Sequence, residues 1–354
     1  MKKTLEQLGI HNYFYYQRGI NNAITDIPGV LVGHKTIIEG KNIRTGITVI
    51  IPPIDFSKNG LIAGGFPFNA NGEMTGLQYI LEEAKMISPI FLTNTLSVGD
   101  VFSAVVNYYH GKIALPIIGE CWDGYLNDIE GRHVKEKHVF QAIKNAKGGQ
   151  VEQGCVGAGT GMISFGYKSG IGSTSRVVCL GDKKYTVGVL LNNNLGNEDQ
   201  RHKYLRIGGV DIGKLLGEYT IRKERGERKH QEGHQSSTII IIATDAPLDH
   251  HQLNRLSKHA VLGMGRIGIV SYSGSGDFIV SFSTANKVPK RETKVHWSIE
   301  TIEETLLDDL FEAAIESVEE AYINSFLMAE TTQGRSGTIK ALPITDIISK
   351  GNPK

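Results

Sequence analysis

Cysteine is scarce in this chain: 354 residues carry three, Cys121, Cys155 and Cys179. They form no CxxC pair and sit among apolar or glycine-rich neighbours. That gives no support to a disulfide framework and argues against structural zinc. A reducing compartment, the cytoplasm, is the simplest expectation. An excess of one charge is also missing, since 38 basic side chains face 37 acidic ones for a net charge of +1. That balance removes the electrostatic case for nucleic acid or an anionic membrane as partner. No apolar run is long enough to span a bilayer. The opening Met1-Lys2-Lys3-Thr4 runs into Glu6, Gln7 and His11, so no signal-peptide core is expected.

Several chemical signatures are lacking too. His133, His138, His202, His230, His234, His250, His251 and His259 fall into no HExxH or similar ligand spacing, so no metal is expected. There is no GxSxG elbow for a Ser/His/Asp hydrolase. Gly154–Gly161 (GCVGAGTG) fits neither GxGxxG nor GxxxxGK[ST], and reads as a tight loop, not a nucleotide cradle.

What is present is apolar residue and glycine: 40% of the chain is hydrophobic, and 42 residues are glycine. This length and composition allow a large core, with many tight turns and close backbone approaches. One domain over residues 1–354 is expected. Ile24–Gly33 reads as a turn followed by a short buried strand, and apolar runs predict strands near Thr48–Ile51, Leu61–Phe68, Pro89–Leu92, Gly172–Leu180, Thr186–Leu191 and Thr238–Ala243. Helical spacing predicts helices over Gly76–Met86, Val98–Tyr109 with Ser97 as cap, Val134–Ala146, Leu248–Leu262 and Ile299–Met328. Arg266–Tyr272 and Phe278–Phe282 read as a hairpin around Ser273–Asp277. Without a strict βαβ rhythm, the class is layered α+β. His250-His251, opening a helix, reads as surface.

The chain is organised around Gln235–Pro247. Charge-dense Glu218–His234 reads as a solvated linker. It runs into Ser236-Ser237-Thr238 and then the β-branched run Ile239–Ile242. Taken alone this is an ordinary loop-to-strand junction. It is also where a chain could cut itself before Ser237 and use Ser237 as an N-terminal nucleophile. Three further features fit that reading. Asn194 ends an apolar strand, where a fixed amide can donate to a tetrahedral oxygen; the ordinary reading is a polar turn closed by Gly196. Ser275 and Asp277 could hold a new α-amine; the ordinary reading is a Gly/Ser/Asp turn. Glu120, beside the ring of Trp122, suits a substrate ammonium; the ordinary reading is a surface carboxylate and a core aromatic.

ITDIPGVLVGH (24–34), NGEMTGL (71–77), WDGYLND (122–128), VGVLLNNNLG (187–196) and STIIIIATDAPL (237–248) resemble the DmpA/BapA family of β-aminopeptidases and L-aminopeptidase/D-esterases. HQLNRLSKHAVLGMGRIG (251–268) and GSGDFIVSFSTAN (274–286) extend the resemblance in order over nearly the whole chain. It implies a four-layer αββα sandwich, related in architecture to Ntn hydrolases but differently connected. It implies self-cleavage into an α polypeptide, 1–236, and a β polypeptide, 237–354. It makes Ser237 the nucleophile, Asn194 the oxyanion donor, Ser275 and Asp277 the holders of the new amine, and Glu120 the receiver of the substrate amine. It implies a peptide or amino-acid amide substrate, no cofactor, and a homo-oligomer, commonly a tetramer of αβ units. Two departures stand out. Ser236 precedes the cut where members usually have Gly or Asn, and Asp277 stands where some have Glu. Two alternatives stay open: Thr238 as nucleophile, as in the nylon-oligomer hydrolases, or an unprocessed, non-catalytic paralogue that binds small amino compounds.

Overall fold

The computed structural model describes Leu5 and residues 13–216, 236–289 and 296–343. The linker expectation for Glu218–His234 lies outside them. Two sheets form the middle of the molecule. The first holds five strands: β1 (Leu31–Glu39), β2 (Ile43–Ile51), β4 (Met74–Thr75), β6 (Ile90–Asn94) and β7 (Ile117–Cys121), in the order β1-β2-β6-β7-β4. The second holds six: β3 (Asn59–Ala70), β5 (Lys85–Met86), β8 (Ile171–Leu180), β9 (Lys183–Asn194), β10 (Ser237–Thr244) and β11 (Gly276–Pro289), in the order β8-β9-β10-β11-β3-β5.

Helices α1 (Leu77–Glu83), α2 (Val98–Tyr108) and α3 (Glu136–Lys144) accompany the first half of the chain, with α2 and α3 against the five-stranded sheet. After a short helix α4 (Glu198–Tyr204), helices α5 (His250–Arg266) and α6 (Leu307–Leu327) cover the six-stranded sheet. The result is the expected αββα order of layers. The sheets meet where Gly119 of β7 faces Ile239 of β10. A Cβ on Gly119 would sit 2.9 Å from the Ile239 side chain, so only glycine permits this spacing.

β10 is central, and its four isoleucines are fully buried. Side chains alternate along a strand. Ile239 and Ile241 therefore enter the core shared by the two sheets, and Ile240 and Ile242 the core under α5 and α6. Burial of each contributes roughly 1.5–3 kcal/mol. A β-branched run apolar on both faces has no other stable place than such an inner strand.

Four local expectations need correction. No hairpin forms at 266–282: Arg266 ends α5, and β11 pairs in parallel with β10 and antiparallel with β3. Both edges of β11 are thus taken by distant strands. Ser97 does not cap α2 with its side chain. A short turn at Thr95–Ser97 starts earlier, and Asn94 Oδ1 accepts from Ser97 N at 3.0 Å. His250 is not a free surface residue, because its Nδ1 lies 2.6 Å from Ala63 O. Finally, the stripe expected over Ile299–Met328 is a helix buried almost all round. Chain from the N-terminal region covers its outer side: Tyr13 OH donates to Glu319 Oε1 at 2.8 Å, and Arg18 Nε to Glu320 Oε1 at 3.0 Å.

Candidate active site

Strand register brings the expected residues together. β9 runs antiparallel to β10 with Asn194 opposite Ser237, and β11 runs parallel to it with Gly276 beside Ser237 and Asp277 beside Thr238. Ser237 is 4% exposed and lies on the face shared by the two sheets. Asn194 Nδ2 is 3.3 Å from Ser237 Oγ. Its other N–H is committed to Trp122 O at 2.9 Å, and its Oδ1 accepts from Ile163 N at 3.0 Å. The amide is thus held on both sides, with one donor aimed at the serine. The contact Trp122 makes at the site is through its carbonyl; its ring lies beside Gly124.

Ser236 is fixed on both polar atoms. Its carbonyl accepts from Gly276 N at 3.0 Å, and its Oγ accepts from Gly196 N at 3.1 Å. The peptide before Ser237 therefore carries a backbone donor on its oxygen. Thr238 points to the opposite face. Its hydroxyl donates to Asn192 O at 3.0 Å and lies 2.8 Å from Tyr322 OH.

Asp277 is fully buried. Ser275 Oγ donates to its Oδ1 at 2.7 Å, and Ser271 Oγ donates to Oδ2. Burial pushes its carboxyl up to about 7, against the lowering effect of Ser275 and the Thr238 backbone. Ser271 adopts φ +54, a region disfavoured for a residue with a Cβ. Sequence reasoning passed over Ser271. Its signal was weak, since nothing local says that a hydroxyl six residues before the acid folds back on it.

Glu120, 5% exposed, sits on β7 in the facing sheet. Thr95 Oγ1 donates to its Oε2 and Glu73 N to its Oε1 at 3.2 Å. Burial pushes its carboxyl above the usual range, and these two donors oppose the shift. The Asn71-Gly72 turn lies between Glu120 and the start of β11. A Cβ on Gly72 would sit 2.7 Å from Glu120 Oε1 and 3.4 Å from Gly276 Cα. Thr95 is a second residue missed from sequence; it reaches Glu120 because β6 and β7 pair in parallel with Thr93 opposite Glu120. Cys121, buried on the same strand, contacts the Ser237 side chain, and burial pushes its thiol up.

Glu120 and Asp277 share one property: neither meets a lysine or arginine among the described residues. Buried carboxylates without a cation are costly. No cluster of three or more metal-ligating side chains exists among the described residues. GCVGAGTG forms a buried turn at Gly157–Gly159, with Gly157 N and Ala158 N bonded to Thr36 and Thr48. It offers no strand-turn-helix phosphate site. No helix among the described residues is long and apolar enough to cross a membrane.

The chain is similar to known proteins over most of its length. The model of peptidase family S58 matches residues 22–340. The chain is 40% identical over 349 residues to the beta-peptidyl aminopeptidase BapA of Sphingosinicella microcystinivorans, covering 93% of this chain and 87% of that one. Its fold matches the PH0078 protein of Pyrococcus horikoshii OT3 with a TM-score of 0.88 at 40% identity, over 98% of both chains. It matches the L-aminopeptidase D-Ala-esterase/amidase of Ochrobactrum anthropi, described as a variant of the Ntn hydrolase fold, with a TM-score of 0.87 at 34% identity, over 97% of this chain and 96% of that one.

Proposed function

The chain belongs to peptidase family S58 and is a serine-type aminopeptidase, and on that premise we propose that it cuts itself before Ser237 and works through the hydroxyl so exposed. The observation that carries this reading is the pairing of Asn194 with Ser237 across β9 and β10, an amide donor 3.3 Å from the serine oxygen.

In the unbroken chain, Ser237 Oγ attacks the Ser236 carbonyl carbon. The carbonyl oxygen gains charge while it accepts from Gly276 N. The C–N bond breaks, the Oγ proton ends on the Ser237 nitrogen, and an ester links the two segments. Water then hydrolyses the ester, leaving a carboxylate on Ser236 and an α-amine on Ser237. A free α-amine has a reference pKa of about 7.7–8.0, so it can serve as the base near neutral pH. As an ammonium it would lie beside Asp277 and pull that carboxyl back down. In turnover Ser237 attacks the substrate carbonyl, Asn194 stabilises the oxyanion, and the leaving amine departs. Glu120 binds the substrate ammonium, which restricts cleavage to bonds next to a free amino terminus.

The placement of Thr238 argues against it as nucleophile, since its hydroxyl is spent on Asn192 and Tyr322 on the helix side of the sheet. Thr238→Val is therefore expected to mature and turn over normally. It costs stability of about 1–3 kcal/mol through the orphaned Tyr322 hydroxyl, read by denaturant titration. N-terminal sequencing of the smaller fragment should begin Ser237-Thr238-Ile239; a start at Thr238 would move the nucleophile by one residue.

Glu120→Gln keeps size and the Thr95 contact but removes the charge. It should raise KM for an amino-acid amide by about 10- to 100-fold, the worth of a charge-assisted hydrogen bond, with kcat less affected. Unchanged KM would take Glu120 out of substrate binding. We further assign a peptide or amino-acid amide substrate, a cytoplasmic location in keeping with three free thiols, and a homo-oligomer built from αβ units. Intact-mass measurement of active protein tests the reading as a whole: two fragments support it.

A further inference from the structure

Lys168 has no solvent exposure, although it carries an ammonium group. Desolvating such an ion costs several kcal/mol unless it is well bonded. Here Nζ donates to three backbone carbonyls, Ser169 O at 2.6 Å, Met162 O at 2.8 Å and Gly159 O at 3.2 Å, one for each of its hydrogens. The three carbonyls belong to a single winding segment, residues 157–170, which wraps the end of β9. From it Ile163 N donates to Asn194 Oδ1 at 3.0 Å. Ser169 Oγ donates to Asn193 O at 2.7 Å, Asn193 N donates to Gly170 O at 3.0 Å, and Ser164 Oγ donates to Leu195 O. The residues before, at and after Asn194 all hang on this segment.

We infer that Lys168 is a positioning residue for the reaction: by tying the carbonyls of Gly159, Met162 and Ser169 together, it fixes the turn that aims Asn194 Nδ2 at Ser237. The inference rests on the reading of Asn194 as oxyanion donor. It accounts for a lysine where an apolar residue would pack at lower cost. The segment is rich in glycine, and glycine yields easily. A point with three strong donors holds it without a side-chain scaffold. The charged groups that act on Lys168 are Cys155 and Asp123, both of which favour its charged form against the effect of burial.

The test is kinetic. Lys168→Met is similar in length and carries no donor. With an amino-acid amide substrate, kcat should fall about 10- to 100-fold, as misplacement of a reacting group by an ångström does, with KM within about 2-fold of wild type. Asn194→Ala provides the reference, and the double variant decides between positioning and damage. If Lys168 acts through Asn194, adding Lys168→Met to Asn194→Ala slows turnover no further. Losses that multiply in the double variant, a wild-type kcat in Lys168→Met, or a KM that rises in step would overturn the inference while leaving Asn194 in place. Normal turnover in Asn194→Ala would instead remove the oxyanion reading itself.

If Lys168→Met does not fold, wild type and Cys155→Ala read the same charge. Burial already lowers the Lys168 pKa, and losing the Cys155 thiolate as a partner lowers it further. The alkaline fall in kcat should therefore begin at lower pH in Cys155→Ala. Identical kcat profiles in the two proteins would overturn the inference.

Discussion

Ser237→Ala is expected to remain one unbroken polypeptide of 38.8 kDa and to lose turnover by at least about 10⁴-fold, since the hydroxyl proposed to form the acyl intermediate is gone. The two losses share one cause. In the proposed mechanism the hydroxyl that opens the chain later attacks substrate, and the base that activates it is the amine released by the first event. Stability should change little, because among the described residues the Ser237 hydroxyl meets Asn194 on the neighbouring strand and Cys121 across the sheet interface. A normal melting temperature with a single band on a denaturing gel is the combination that counts. Two bands from this variant would mean that another nucleophile or a contaminating protease cuts the chain. An unbroken and inactive wild type would favour the non-catalytic reading, and Ser236 before the cut would then be the residue to exchange for glycine.

The parts of this site legible in the sequence are those where one strand carries its own reason. The run Ile239–Ile242 can only be an inner strand, so the residue before it had to stand at a fixed edge. Asn194 closes an apolar run, so its amide had to sit at a strand end. The pairing of these two ends was not legible, because antiparallel register between residues 43 positions apart depends on which faces find partners. The expected hairpin failed for the same reason. Residues 266–282 have turn chemistry in the middle and apolar flanks, but the second flank pairs with β10 and β3, which no local pattern announces. Thr95, Ser271 and Lys168 were hidden more deeply. Thr95 and Ser271 are ordinary hydroxyl residues in ordinary turns. Lys168, in sequence, reads as one more solvated cation; only the fold removes its water and gives it three carbonyls. The buried face of α6 that meets Arg176 through Glu316 and Glu320 is a further case, since charged residues on a helix normally mark its wet side.

Asn194→Ala should lower kcat by about 10²- to 10³-fold, or roughly 2.7–4 kcal/mol of barrier, the usual cost of one oxyanion donor. The geometry says why the amide and not merely its bulk matters. Trp122 O accepts from Nδ2 and Oδ1 accepts from Ile163 N, and these two bonds hold the amide with Nδ2 3.3 Å from Ser237 Oγ. A donor fixed before the reaction needs no reorganisation when charge appears. KM should change little, because Glu120, the proposed site for the substrate ammonium, stands on the other sheet. Maturation should slow less than turnover. In the unbroken chain the Ser236 oxygen already has a donor in Gly276 N, so self-cleavage does not rest on the asparagine alone. Asn194→Asp separates the donor from the shape: it keeps the Ile163 contact and places an acceptor where the donor stood. Its kcat should fall below that of the alanine variant, since an anion beside a forming oxyanion repels it. If Asn194→Asp instead outperformed Asn194→Ala, the amide would be acting through packing and not through its hydrogen. The two rates, measured in single turnover after maturation is complete, decide between those roles.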